Sequence, residues 1–296
     1  MGAALAAASG LGFGAFQSIN RRAAAGIRSA YVSTFLQLVV ALVVLVVASV
    51  TAADPGRLSS ATAATIAWFG AAGAVHFFCG WTLLNMSQER IGAARTSPLL
   101  STSPVFAAFV AWITLGELPG ALSWLGIALV VSGAATVAIL PALRAREPAS
   151  WIDARFGLGT ALAWAVSPVL IRHGLKGLDS PLLGVTIGLA VAVTAYVVAL
   201  PLVARPFGEG GLGSREALFL KLLAGLLVGL ATWARYAALD SVTIAVVAGL
   251  QLLSVPVVLT VSPLLMGGHL ENVNRTVWAG AGLVIAGSLL LVVDST

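Results

Sequence analysis

Of the chain's three histidines, His76, His173 and His269, only His76 stands deep in a stretch without charged residues, from Leu58 to Gln88. An imidazole so placed either bonds a helix carbonyl as a packing group or faces a polar cavity, where it binds a solute or relays a proton. Both uses satisfy the sequence. Arg95, Ser97, Ser101 and Ser103 give a second apolar run a hydrophilic face beside Pro98 and Pro104; Arg95 suits an interfacial anchor as well as a solute ligand. Gln251 and Ser254 lie close to Pro256, Trp164 and Ser167 precede Pro168, and Gln17 and Ser18 end the first apolar run. The residues suited to lining a solute pathway are therefore Gln17, His76, Arg95, Ser97, Trp164, Ser167, Gln251 and Ser254. Packing within or between helices accounts for the serines equally well.

Catalytic chemistry is harder to assemble. The histidines are dispersed, and no aspartate or glutamate falls inside an apolar run; Glu89, Glu117 and Asp240 lie at run ends. Cys79 is the single cysteine, which excludes an intrachain disulfide and a cysteine-based metal site. No catalytic residue, metal ligand or cofactor is assigned. Gly10, Gly12 and Gly14 lack a following lysine, so close helix packing explains them better than a phosphate loop. Pro104 and Pro256 interrupt apolar runs, where proline removes a backbone hydrogen bond and loosens the helix. They are the expected hinges.

The elements that position these groups follow from composition. With 59% hydrophobic residues and 9% charged, and a mean hydropathy of +1.01, the chain reads as an all-α integral membrane protein. Charged and turn-forming residues cut it into ten transmembrane helices, near 3–20, 30–51, 62–84, 92–115, 120–140, 156–174, 181–204, 217–238, 243–266 and 275–293. The formal charge of +5 comes from scattered cations rather than a basic face, so no nucleic-acid partner is expected. For Trp81 and Trp233 the expected role is the aromatic belt at the headgroup level.

Trp81, Pro104 and Gly116 recur as Trp233, Pro256 and Gly268, each displaced by 152 residues. Gly126 and Gly133 find counterparts in Gly280 and Gly287. The chain thus divides into a first five-helix repeat over 1–141, a polar linker over 142–155 and a second repeat over 156–296. An odd number of spans per repeat makes the second cross in the opposite sense, an inverted pair.

The segments Ile91-Gly92-Ala93-Ala94, Ser103-Pro104 and Gly116-Glu117-Leu118, with Trp124-Leu125-Gly126, carry a resemblance to the drug/metabolite transporter superfamily, in its ten-helix type with two EamA-like domains. The second copy runs Thr243-Ile244-Ala245, Pro256, Gly268-His269-Leu270 and Trp278-Ala279-Gly280. His269 stands where the first copy has Glu117, a departure that sets apart any role of that acidic position. The resemblance implies a secondary transporter of small metabolites, working by alternating access in the cell membrane, without cofactor, with export the expected direction. Small four-helix multidrug relatives use an embedded carboxylate to exchange protons for cationic drugs. Its absence here points to neutral, zwitterionic or anionic cargo, with amino-acid-like compounds implied by the resemblance alone.

Twelve of the sixteen lysines and arginines fall in loops on one side, which by the positive-inside rule places both termini outside. The other class of function that fits such a chain is an intramembrane enzyme acting on a lipid; it would need the clustered acids and bases that are missing here.

Overall fold

The computed structural model describes all residues except 25, 28, 53–54, 92–95, 97–98, 101, 117–119, 146–150, 203–213, 267–274 and 295–296. Among the described residues there is no strand. The chain opens with α1 (Gly2–Ala24) and α2 (Ala30–Ala52). Then come α3 (Ala63–Gly73), a π-helical segment (Ala74–Gly80) and α4 (Trp81–Ile91), which run on as one rod. After α5 (Ser103–Leu115) and α6 (Ala121–Ala145) follow α7 (Trp151–Gly177), α8 (Pro181–Ala199) and α9 (Arg215–Ser241). The chain ends with α10 (Ile244–Gln251), α11 (Ser254–Met266) and α12 (Arg275–Asp294). Among the described residues, seven spans are long and apolar enough to cross a membrane, with shorter apolar helices beside them. The protein is an all-α, multi-pass integral membrane protein.

Local chemistry sets the ends of these rods. Thr62, Ser180, Ser214 and Thr243 each take an extended backbone and accept a bond from the amide three residues on. Each such cap satisfies one of the orphan donors at a helix start and contributes about 1 kcal/mol. Thr62 and Ser214 stand 152 residues apart, at the same offset as the tryptophans and prolines. Gly116 closes α5 with φ of 70° while its amide donates to the Trp112 carbonyl, a left-handed turn that suits glycine.

The prolines expected inside spans stand elsewhere in the helical register. Pro104 occupies the first turn of α5, following Thr102. Pro256 occupies the first turn of α11, following the break at Leu252 and Leu253 that separates α10 from α11. A first-turn position needs no amide donor and welcomes the fixed φ of proline. Each therefore restarts a helix instead of kinking one.

Apolar side chains such as Val43, Val47 and Val50 of α2 point outward, as a lipid-facing surface requires. Inside, helices have no hydrophobic drive to associate in lipid and rely on close packing of small residues. An ideal Cβ on Gly133 of α6 would fall 2.5 Å from the Gly280 carbonyl of α12; one on Gly287 of α12 would fall 2.5 Å from the Gly126 carbonyl of α6. The two contacts are mirror images under exchange of matched residues. The same exchange relates Gly73 of α3, seated on Gly188 of α8, to Gly225 of α9, seated on Val40 and Gln37 of α2. It also relates the packing of α1 on α9 and α11 to that of α7 on α3 and α5.

Trp81 departs from the belt expectation, being 1% exposed. It stacks on Phe16 at 5.5 Å and meets Phe77 edge-on at 5.3 Å. Ready aromatic partners in the core outweigh the headgroup region as its environment. Trp233 is exposed on the helix surface.

Candidate functional site

The site begins with the π-helical segment. A π turn accommodates an extra residue and widens the helix, a distortion frequent at functional sites. Here it carries His76 inward, leaving it 2% exposed. Glycine brackets the segment. At one end Gly73 meets the backbone of Gly188; at the other, Gly80 gives up the volume taken by the Trp164 indole, whose Nε1 would lie 2.8 Å from a Cβ there. Trp164 consequently reaches across from α7 and stacks on the His76 ring at 5.5 Å and 23°.

A buried cation completes the arrangement. Arg235 of α9 is 4% exposed. Its Nη1 approaches His76 Nδ1 at 3.1 Å, and its Nη2 donates to the Trp164 carbonyl and the Ser167 hydroxyl, each at 3.3 Å. Ser167 Oγ itself lies 2.9 Å from His76 Nδ1. A guanidinium has donors and no acceptor, so the imidazole meets it with a ring lone pair, Nη1 lying 3.1 Å from Nδ1 and 3.4 Å from Nε2. Among the described residues Arg235 has no carboxylate partner, and its buried Nε–H has no hydrogen-bond acceptor. An arginine at membrane depth costs at least about 3 kcal/mol by insertion measurements, so an incompletely satisfied one is an expensive feature to keep.

These groups face a cavity of about 70 Å³ lined from both halves of the chain: Phe13 and Gln17 of α1, His76, Ser103 and Pro104 on one side, and Trp164, Pro168, Arg235, Gln251 and Ser254 on the other. At that volume it holds roughly five water molecules. Gln251 anchors the wall at the end of α10: its Nε2 donates to Ser9 Oγ at 2.7 Å, and Ser9 donates onward to the Ala231 carbonyl at 2.7 Å.

Of the residues picked from sequence, Gln17, His76, Trp164, Gln251, Ser254 and Pro104 thus border one cavity. Ser167 is fully buried behind the wall and touches both His76 and Arg235. Pro256 is not among the lining residues. Arg95 and Ser97 lie outside the described residues. His173 stays apart, within bonding distance of its own helix's Val169 carbonyl. Among the described residues no three metal-binding side chains gather.

Arg235 was missing from the sequence-based set. Ending the eighth span near 238 puts it close to a helix end, where an arginine serves the interface as readily as the pathway and counts with the adjoining loop in the charge balance. The helix runs on to Ser241, which sets Arg235 about 9 Å inside that end at 1.5 Å per residue. Lys221, inside the same expected span, is buried in that helix as well. The loop-charge asymmetry keeps its direction without the two.

Residues 1–139 match the model of the EamA-like transporter family. A crystal structure of a protein 14% identical in sequence covers 97% of this chain and 98% of its own, with a TM-score of 0.65. At that identity the likeness speaks for the fold alone. No curated protein matches the chain.

Proposed function

We propose that the whole chain is a secondary transporter moving a neutral, zwitterionic or anionic small metabolite outward across the cell membrane, a reading supported by the match of residues 1–139 to the EamA-like transporter family. The observation that carries this reading is a cavity walled by both halves of the chain and bordered by the starts of two restarted helices. Discontinuous helices around a midplane site are a recurrent transporter design, because loosened backbone both offers polar groups and absorbs motion. Pro104 and Pro256 act as the hinges, each at the point where a helix resumes.

Two five-helix units, 1–141 and 156–296, rock about the cavity in alternating access. The reciprocal glycine contacts of α6 with α12, and of α3–α8 with α9–α2, support such an inverted pair. So do the matched caps Thr62 and Ser214.

Proteoliposomes loaded with a mixture of small metabolites test the proposal. Mass spectrometry of the external medium should find at least one solute released through the protein and retained by empty vesicles. Ala107→Trp, which fills the cavity wall, should abolish that release. Conversion of a lipid without solute movement would replace this reading with an intramembrane enzyme.

A further inference from the structure

Arg235 borders the cavity and keeps a donor that the protein leaves unused. The guanidinium of Arg235 spends Nη1 on His76 and Nη2 on Trp164 and Ser167, while Nε–H remains buried without an acceptor. Its protein partners carry no negative charge: a carbonyl, a hydroxyl and an imidazole. Nothing described in the chain balances the charge. A buried cation without a counter-charge is destabilising, whereas the same cation paired with an anion in low dielectric gains a strong, short hydrogen bond. We propose that Arg235 is the recognition point for the anionic group of the transported solute, and that the solute is a small monocarboxylate. This deepens the transporter reading above and rests on it.

The surroundings narrow the class further. A cavity of about 70 Å³ admits only a handful of non-hydrogen atoms, which favours compact acids over nucleotides or lipids. A carboxylate held by the guanidinium leaves its α-substituent facing the opposite wall. There Gln17, Gln251 and Ser254 supply amide and hydroxyl groups able to bond a hydroxyl or ammonium substituent. Phe13 and the Trp164 ring border the same space and pack the solute's apolar part. The neutral wall around the arginine disfavours cationic solutes, because no acid among the described lining residues offsets a second positive charge.

The test uses purified full-length protein and matched probes: acetate, propionate, lactate and alanine, each beside its uncharged amide or, for alanine, alaninamide. Thermal stabilisation is measured at constant ionic strength in chloride, since a ligand that binds the folded state raises its midpoint. At least one carboxylate should stabilise the wild type while its amide counterpart does not. Arg235→Gln should weaken that binding by about 10- to 100-fold, the contribution of one charge-assisted hydrogen bond; Arg235→Lys should recover part of it. Monodisperse elution of each variant establishes that it folds, and the wild-type acid-against-amide comparison stands without any variant.

Equal binding of acid and amide overturns the proposal, as does no binding by any member of the set. Unchanged affinity in folded Arg235→Gln overturns it too. Carboxylate binding that depends on Arg235, with no movement of that carboxylate into proteoliposomes, leaves the anion site standing and sinks the transporter reading instead.

Discussion

Helix α9 carries two buried cations fourteen residues apart, about 21 Å along its axis, and the protein treats them differently. Lys221 places its ammonium against the side-chain carbonyl oxygens of Asn20 and Gln37, so α1 and α2 both supply acceptors to it. Arg235 is bonded through its terminal nitrogens only, and its Nε–H stays unpartnered beside a cavity. Both residues are almost fully buried, so burial does not separate them. What separates them is place: the Lys221 ammonium is held by two side-chain carbonyl oxygens and is not part of the cavity lining, whereas Arg235 lines the cavity and keeps an unpartnered Nε–H. Lys221 is tied into a joint between three helices; Arg235 is kept ready for something that arrives from outside.

The largest effect that would break this contrast concerns binding. Arg235→Gln should lower carboxylate affinity by about 10- to 100-fold while Lys221→Met changes it less than about twofold, as read by ligand titration. Equal losses would erase the distinction. Stability should show the reverse order. Lys221→Met leaves two amide oxygens without their donor and should cost about 1–3 kcal/mol in a reversible denaturation measurement. Adding Asn20→Leu and Gln37→Leu should restore much of it, because the unpaired groups then disappear as well.

Ser167→Ala probes the support of Arg235 more gently. It removes one acceptor from Nη2 and loosens the guanidinium, with an expected loss of about 1 kcal/mol in carboxylate affinity, or roughly fivefold, and little change in folding. The smallest effect belongs to a third charge site on the same helix, the exposed pair of Arg22 with Glu216 at 3.1 Å. Glu216→Gln should alter stability by less than about 0.5 kcal/mol and leave ligand affinity untouched, since water and salt screen such pairs.

Span positions were legible because apolar runs and turn residues report helix ends almost directly: the expected 30–51 and 275–293 became Ala30–Ala52 and Arg275–Asp294. The prolines were legible as points of interruption but not in register, since the sequence does not say whether a helix bends at proline or restarts with it. His76, Gln17, Trp164 and Gln251 stood out as polar or aromatic groups in apolar surroundings, and all four reach the cavity. Arg235 did not stand out, because a difference of three residues in a helix end decides whether an arginine reaches the interface or stays inside. The π-helical segment left no mark at all: Ala74–Gly80 holds no proline, and its extra-wide turn is set by what Gly73 and Gly80 pack against in distant helices. Trp81 was misplaced for the same reason, its depth depending on the aromatic neighbours Phe16 and Phe77.

That π-helical segment turns His76 toward Arg235 and, three residues later, turns the chain's single cysteine, Cys79, to the outer surface. The protein therefore carries one thiol, on the outward face of a span and on the same short segment as the cavity wall, with no others to remove. A spin label or an environment-sensitive fluorophore attached there would act as a built-in reporter, giving a spectroscopic signal each time the backbone around His76 changes shape.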